Sequence, residues 1–344
     1  MTTLDLTRRP STDPTDLYRY RDALHASDLL IAGLVELDLF TWLDEAPADL
    51  EQICGQFGIQ PRPTDVMMTL FTAMGLVRRQ GNVFNLTPLA REHLVRSSPW
   101  WIAPYYASLK DRPVAQDYLR ILRTGQPGNW GGLKNEKEWA LAMNEPRFAE
   151  SFTAAMDCRG VLLGEVLARS VDFRPCHRLL DIAGGSGIYA SCVVAAHAHL
   201  QASVLEKPPV DQITTRLLNQ RGFAHRVAVV QGDMFEGIPT GHDAHLFSNV
   251  LHDWDVPRVR HLLEASHRAL DPGGLLIVHD VHLNADKTGP IHAAEYSALL
   301  MHVTEGRCYS VKEMEDFLAQ AGFSGVDFLP TAAGRSLITA RKTA

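Results

Sequence analysis

Acidic side chains and glycines between residues 181 and 206 have the types and spacing of a binding site for a charged ligand. Asp181 lies in a short apolar run, 178–182, and Glu206 ends the next such run. Glycines follow the first run at three positions: Gly184, Gly185 and Gly187. A buried strand that turns through glycines into a helix brings backbone N–H groups close to a ligand. These residues therefore predict a ligand-binding turn between a strand and a helix.

The charge of Asp181 bears on which ligand this turn binds. The stretch Gly185-Ser-Gly-Ile-Tyr-Ala190 also satisfies the dinucleotide pattern G-x-G-x-x-A. A carboxylate at residue 181 sits badly beside a pyrophosphate but well beside an ammonium or sulfonium group. Glu206, about 20 residues beyond the glycines, is placed for ribose hydroxyls. A tight turn without a ligand is the structural alternative.

The stretch Asp181-Ile-Ala-Gly-Gly-Ser-Gly187, followed by Glu206, resembles the S-adenosylmethionine site of class I methyltransferases. The usual motif is D-x-G-x-G-x-G, and its first glycine is Ala183 here. Because alanine still allows a close approach, we expect this change to cost little. The resemblance implies S-adenosyl-L-methionine as cofactor and assigns these residues to it: Asp181, Gly184, Gly185, Gly187 and Glu206.

The composition is that of an ordinary globular protein. The chain has 344 residues, 46% apolar and 21% charged, and this length suggests two domains. A net charge of −7 argues against sequence-independent nucleic-acid binding. The 5 cysteines form no C-x-x-C pair, which fits reduced thiols better than disulfides or a zinc site. Without an apolar signal region or a run long enough to span a bilayer, we expect a cytoplasmic protein.

The N-terminal part predicts a winged-helix-like domain over 16–100, after a flexible arm at 1–15 that is rich in Pro, Ser and Thr. Helices are expected within 16–43, at 48–57 and at 63–74, and a hairpin at 76–86. The second helix of a winged helix would read DNA, but Thr64–Met74 contains no Lys or Arg. We therefore predict a dimerisation domain that buries apolar surface against a second subunit. A monomer in light scattering would contradict this.

Residues 101–170 are expected to form a helical linker that contributes to a substrate pocket. Aromatic residues are frequent at 99–106, and Trp130 and Trp139 follow. Such a cluster can line a pocket for a planar substrate or simply fill the space between domains. Two helices, at 136–156 and 160–169, are expected to lead into the catalytic domain.

Strand-like and helix-like patterns alternate over 171–344, which predicts a Rossmann-like doubly wound α/β sheet. Strands are expected at 178–183, 202–206, 226–231, 244–249 and 275–281, and helices at 186–198, 209–221, 255–270, 290–303 and 310–321. The link between the last two strand-like runs, Gly325–Leu329 and Ser336–Ala340, is too short for the crossover of about a dozen residues that a parallel pair needs. We therefore predict a terminal antiparallel hairpin, which is characteristic of methyltransferases rather than NAD dehydrogenases.

Two further segments extend the resemblance to nearly the whole chain. Gln231-Gly-Asp-Met-Phe235 follows the third strand, and Leu251-His-Asp-Trp254 follows the fourth. Together with the glycine motif and the N-terminal helices, they resemble small-molecule O-methyltransferases of the plant caffeate and bacterial hydroxyindole type. The resemblance implies a homodimer that methylates a hydroxyl of a small, aromatic metabolite.

The resemblance also assigns individual residues. Asp233 is expected to bind the adenine amino group and Met234 to pack on the ring, while His252 is the general base and Asp280 supports it. Further cofactor-binding residues are Phe235 and Ser248. The residues expected at the substrate are Met156, Trp254, Glu295 and Cys308.

A histidine suits the role of general base for a phenol. A phenol with a pKa of about 10 is mostly neutral at pH 7, and an imidazole with a pKa of about 6.5 is mostly neutral there and able to accept its proton. Help of this kind is worth about 10² to 10⁴ in rate.

The chain departs from its relatives at two positions. Many relatives have a second acid where Cys308 stands, with Glu305 nearby, and some plant relatives have a lysine where Ser248 stands. Because the acid is missing, an S-, N- or C-acceptor remains an alternative.

Three other interpretations stay open. The first is a metal site, which would require His252, Asp280 and His282 to come together and which no ligand motif supports. The same fold would also suit a non-catalytic protein that binds S-adenosylmethionine or DNA. An NAD-dependent dehydrogenase is the last alternative.

Overall fold

The computed structural model describes residues 5–128 and 142–343, and the chain divides into two units. The sheet unit comprises Met1–Asp16, Trp139–Val281 and Val311–Ala344, and the helical unit comprises Leu17–Glu138 and His282–Ser310. Trp130 and Trp139 lie outside the described residues. Over the described ranges, no helix combines the length and the apolar character needed to cross a membrane.

The helical unit begins with the predicted short helices and hairpin, and it adds a third strand at Ala48–Asp49, where the sequence predicted the start of a helix. The elements up to residue 128 are α1 (Thr15–Asp22), α2 (Ala26–Ile31), α3 (Leu39–Glu45), β1 (Ala48–Asp49), α4 (Leu50–Phe57), α5 (Pro61–Ala73), β2 (Val77–Gln80), β3 (Val83–Leu86), α6 (Pro88–His93), α7 (Ala103–Ala107) and α8 (Pro113–Thr124). A π-helical segment, Ala32–Glu36, continues α2. The predicted hairpin is β2 with β3, an antiparallel pair that β1 extends.

Helix α5, which would read DNA in a DNA-binding winged helix, is a core helix. The side chains of Met67, Leu70 and Phe71 on this helix are fully buried. This helix, which contains no Lys or Arg over Thr64–Met74, therefore serves packing. By contrast, Trp100 and Tyr105 of the aromatic stretch are 63% and 81% exposed in the single chain.

The sheet unit contains a seven-stranded sheet with strand order β6-β5-β4-β7-β8-β10-β9. Its strands are β4 (Arg178–Ile182), β5 (Gln201–Glu206), β6 (Val227–Gln231), β7 (Ala244–Ser248), β8 (Leu275–Asp280), β9 (Phe323–Pro330) and β10 (Ser336–Lys342). The remaining helices are α9 (Pro146–Ser170), α10 (Ile188–Ala196), α11 (Val210–Arg221), α12 (Val256–Ala269), α13 (Ile291–Val303) and α14 (Val311–Gln320). Of these, α13 belongs to the helical unit.

The sheet has the predicted mixed direction. Strands β4 to β8 pair in parallel, while β10 pairs antiparallel with both β8 and β9. The predicted α/β fold with a terminal antiparallel hairpin is thereby confirmed. Because the parallel strands share one direction, the ends of β4, β5, β7 and β8 lie along one edge, where ligands bind in such sheets.

One helix replaces the two that were expected before the sheet. Helix α9 runs without interruption from Pro146 to Ser170, and residues 136–141 of the first expected helix lie outside the described residues. Gly160 marks close helix packing rather than a break, because a Cβ there would collide with Ile188 of α10. The prediction of two separate helices on either side of residues 157–159 was therefore wrong.

The N-terminal segment expected to be a flexible arm contacts the sheet unit within its described part. Leu6 is buried, and Arg9 Nε lies 2.5 Å from a carboxylate oxygen of Glu165 on α9. Arg169 also donates a hydrogen bond to the carbonyl of Thr7 at 2.7 Å.

Candidate active site

The glycine turn covers the carboxylate of Asp181. A Cβ on Gly184 would lie 2.5 Å from Asp181 Cγ, so only glycine fits against this carboxylate. Gly185 and Gly187 have φ of +57° and +72°, values that favour glycine. Ala183 also adopts a left-handed conformation, with φ of +53°. This conformation costs an L-residue about 1–2 kcal/mol, more than the small cost that the sequence suggested.

Asp181 is a buried acid that a cation would suit. Its side chain is fully buried, and neither carboxylate oxygen forms a hydrogen bond of normal geometry to the described residues. Burial raises the pKa of Asp181 to about 7 against the opposing effect of the Ala190 N–H, and Glu206 raises it further. A positively charged ligand group here would restore the ionised form.

Glu206 lies beside the same turn. Its carboxylate accepts hydrogen bonds from the backbone N–H groups of Gly185 and Lys207, at 3.0 and 3.1 Å. Burial raises the pKa of Glu206 to about 7 in spite of these two hydrogen bonds. The glycine turn and the end of β5 are thus joined at the predicted cofactor residues.

The segment after β6 places Phe235 in an aromatic pair. Asp233 accepts a hydrogen bond from the backbone N–H of Phe235 at 2.9 Å and lies 3.5 Å from Lys207 Nζ, while Met234 is half-buried. The ring of Phe235 meets Trp254 edge to face at 4.7 Å. One aromatic contact therefore joins a residue predicted for the cofactor with one predicted for the substrate.

His252 is held in a short turn between β7 and α12. The turn is a 3₁₀ helix, Leu251–Asp253, and α12 begins after Asp255, whose side chain accepts a hydrogen bond from the Arg258 N–H. These two elements fix the histidine backbone on both sides. The side chain of His252 is buried, only 5% exposed.

A carboxylate lies near each ring nitrogen of His252. Nδ1 hydrogen-bonds to Asp280 Oδ1, which also accepts the Val281 N–H at 2.8 Å. Nε2 lies 3.5 Å from an oxygen of Asp253. Because a carboxylate only accepts, Nδ1 carries the proton and Nε2 is the basic nitrogen.

These charges set the basicity of the imidazole. Burial lowers the pKa of His252, but Asp280 and Asp253 outweigh it, so the pKa lies above its usual value. The charge of Arg159 on α9 acts in the opposite direction. Burial in turn raises the pKa of Asp253. The arrangement suits a buried base that accepts one proton and holds it beside negative charge.

The end of β7 adds polar groups near the histidine turn. Ser248 is buried and pairs in register with His279 of β8. Asn249 next to it has φ of +53°, and its side-chain amide donates to Tyr189 Oη on α10 at 3.0 Å. This bond links the histidine turn to the helix that follows the glycine turn.

Of the four predicted substrate residues, two belong to the helical unit. Glu295 on α13 accepts two hydrogen bonds from Arg19 on α1, at 2.9 and 3.1 Å. Cys308 is fully buried, and its backbone N–H donates to Ser297 Oγ at 3.1 Å. Met156 is half-buried on α9 in the sheet unit. The roles of these residues stay predictions.

No cluster of at least three His, Cys, Asp or Glu side chains in residues 5–128 and 142–343 has the arrangement of a metal site.

Sequence reasoning missed Asp253, Arg159 and Asn249. Asp253 stands inside the Leu-His-Asp-Trp segment, so its position beside the base was the available signal. Arg159 and Asn249 carry no motif of their own.

Comparisons with known proteins agree with this geometry. Residues 128–324 match the O-methyltransferase domain family and residues 18–96 the O-methyltransferase dimerisation domain family. The chain is 30% identical to the 3-hydroxy-5-methyl-1-naphthoate 3-O-methyltransferase of Streptomyces sahachiroi, over 91% of this chain and 90% of that one. It is 28% identical to the N,N-dimethyltransferase OxyT of Streptomyces rimosus, over 78% and 76%. The crystal structure of an O-methyltransferase family 2 protein of Planctomyces limnophilus, in complex with apigenin, has a TM-score of 0.88 and 31% identity with full coverage of both chains.

Proposed function

Because the chain belongs to the O-methyltransferase family with an N-terminal dimerisation domain, we propose that it methylates a hydroxyl of a small aromatic molecule with His252 as general base. The family makes the chain an S-adenosylmethionine-dependent O-methyltransferase of small molecules. The dehydrogenase and non-catalytic alternatives therefore give way to this enzyme class. The acceptor class and the base are the parts that we propose.

The observation that carries the proposal is the position of His252 between two carboxylates. Asp280 binds Nδ1, which leaves Nε2 as the proton acceptor, and Asp253 lies 3.5 Å from Nε2. A phenol placed near Nε2 would transfer its proton to the ring as its oxygen becomes the nucleophile. The imidazolium that results is stabilised by both acids, and when bound, S-adenosylmethionine supplies a methyl group already activated by its sulfonium charge.

The glycine turn fits the methyl donor. Asp181 has two buried carboxylate oxygens without normal hydrogen bonds, and an ammonium or sulfonium group matches them in charge. Glu206 borders the same turn, where ribose hydroxyls would donate hydrogen bonds to its carboxylate oxygens. We assign these two acids to the donor, together with Asp233, Met234, Phe235 and Ser248 as the sequence predicts.

Two relatives support an aromatic hydroxyl as the acceptor. One is named for the 3-hydroxyl of a naphthoate, and another was crystallised with apigenin. Both names describe hydroxylated aromatic compounds. A buried base is useful for such acceptors, because a phenol is mostly neutral at pH 7.

Transfer to nitrogen is the second candidate, since the relative OxyT is named an N,N-dimethyltransferase. A neutral amine already offers its electron pair and needs little help from a base. The two candidates therefore differ in how strongly turnover depends on His252.

The dimerisation domain family supports a homodimer. Helix α1 and the residues after it expose three apolar side chains at helical spacing: Leu17, Tyr20 and Leu24. This stripe offers apolar surface for contact with a second subunit.

The substitution His252→Ala tests the base. We expect turnover with a phenolic acceptor such as apigenin to fall about 10²- to 10⁴-fold. Binding of S-adenosylhomocysteine, measured by calorimetry, should stay within about threefold, because the histidine does not contact the donor in this proposal. His199→Ala, an exposed histidine of the same unit, is the matched control and should leave both values unchanged.

Unchanged kcat in His252→Ala would contradict the base. The same variants should also be tested with an aromatic amine as acceptor. Turnover of the amine alone, equal in the wild type and His252→Ala, would favour transfer to nitrogen.

A further inference from the structure

Asn249 occupies the point where β7 ends and the histidine turn begins. It has φ of +53°, a left-handed conformation that asparagine adopts more readily than most residues other than glycine. From there the chain passes out of the strand into the 3₁₀ helix Leu251–Asp253, which contains His252. Asn249 is therefore the residue from which the histidine turn starts.

The backbone of Asn249 is tied to the strand that carries Asp280. Its N–H donates a hydrogen bond of 2.9 Å to the carbonyl of His279, the residue directly before Asp280 on β8. Ser248 already pairs with His279 in the parallel register of β7 and β8. This hydrogen bond therefore keeps the start of the histidine turn beside the acid that binds the imidazole.

The side chain of Asn249 is tied to the helix that follows the glycine turn. Its amide donates a hydrogen bond of 3.0 Å to Oη of Tyr189, which lies two residues after Gly187. The ring of Tyr189 is buried and meets the His279 ring edge to face at 5.9 Å, so its hydroxyl is held in place. Oδ1 of Asn249 is buried without a hydrogen-bond partner among the described residues, so this one bond fixes the amide.

We propose that Asn249 is a positioning residue, which sets the place of His252 relative to the methyl donor. The proposal rests on the proposed role of His252 as base and of the glycine turn as donor site. The base and the donor must be aligned, because a displacement of about 1 Å can lower a rate about 10²-fold. In this role the amide acts through the histidine turn and does not touch the reacting atoms.

The substitution Asn249→Gly separates the side chain from the backbone conformation. Glycine adopts a positive φ readily, so this variant keeps the turn and removes the amide. We expect kcat with a phenolic acceptor to fall about 10- to 100-fold. The Kd of S-adenosylhomocysteine, measured by calorimetry, should stay within about twofold, because the donor site itself is intact. Tyr189→Phe removes the other partner of the same hydrogen bond and should lower kcat to a similar extent.

Double variants show whether the effect passes through this hydrogen bond and through His252. Asn249→Gly combined with Tyr189→Phe should be no slower than the slower single variant, because both remove the same bond. In the His252→Ala background, Asn249→Gly should lower kcat less than about twofold, because the group that it positions is gone. Asn219→Ala is the control, since it removes an exposed amide whose hydrogen bond lies within α11, and it should leave kcat unchanged.

Unchanged kcat in Asn249→Gly would overturn the proposal, because the asparagine would then serve only the backbone conformation. Equal losses from Asn249→Gly in the wild type and in His252→Ala would also overturn it, because the effect would not pass through the base. A loss of S-adenosylhomocysteine binding that matches the loss of kcat would overturn it as well, since the amide would then support the donor site. Wild-type kcat in His252→Ala would instead contradict the proposed base, and the role of Asn249 would fall with it.

Discussion

Replacing Asp280 by Asn isolates the charge that raises the basicity of His252. Oδ1 of Asp280 accepts both the histidine Nδ1–H and the Val281 N–H. An asparagine oxygen at the same place can accept both hydrogen bonds, so Asp280→Asn keeps the ring in position and removes only the negative charge.

The size of the effect follows from this hydrogen bond. A hydrogen bond to a charged group contributes about 1.5–3 kcal/mol, which corresponds to about 1–2 pKa units. Asp280 raises the pKa of His252 against the effect of burial, so its loss moves this pKa down. A base weakened by this amount accepts a proton less readily, and we expect the maximal kcat/KM to fall about 10-fold and no more than about 100-fold.

The assay is the pH dependence of kcat/KM for a phenolic acceptor. Protonated His252 cannot act as base, so activity falls as pH drops through the pKa of the free enzyme. In Asp280→Asn this fall must occur at lower pH than in the wild type, and the ratio of variant to wild-type activity must rise from pH 8 to pH 5.5. Asp271→Asn, at a partly exposed acid that pairs with Arg178, is the control and should leave the profile unchanged. A fall at the same pH in Asp280→Asn and the wild type would refute the assigned role of Asp280.

Two further predictions concern buried titrating groups. Burial raises the pKa values of Asp181 and Glu206 to about 7, so both are partly protonated at neutral pH. Binding of the positively charged donor should release about half a proton or more at pH 7, seen by calorimetry in buffers of different ionisation enthalpy, and Asp181→Asn should reduce the release. Burial lowers the pKa of the fully buried His245 to about 3. Between pH 6.5 and 3 the unfolded chain therefore takes up a proton that the folded chain does not. The stability of the fold must decrease as the pH is lowered through this window. Between pH 7 and 5 this amounts to about 2 kcal/mol, and urea unfolding of His245→Asn should lack this part of the pH dependence.

The sequence predicted the sheet edge well because buried parallel strands are short apolar runs with clear ends. Asp181 and Asp280 were expected at strand ends, and the structure places them at the second-last position of β4 and the last position of β8. The terminal hairpin followed from the length of one link. These features depend on local pattern and chain connectivity, which one sequence contains.

Features that depend on a neighbouring element were harder to predict. The break expected at Gly160 required knowing that α10 lies against this glycine. The cost at Ala183 depends on its φ of +53°, which the residue type does not reveal. The positive charge of Arg159 affects the pKa of His252 because of how α9 packs, and no sequence motif marks this arginine.

The acid that is missing at residue 308 has a counterpart in Asp253. Cys308 stands where many relatives have an acid, and this difference weakened the case for a phenolic acceptor. Asp253 offers another carboxylate from the same turn as His252, 3.5 Å from Nε2. Adjacent side chains diverge in a strand, but the 3₁₀ turn Leu251–Asp253 brings these two together. In its proposed role as base, His252 has carboxylates near both nitrogens, so Cys308 is no argument against methyl transfer to a hydroxyl.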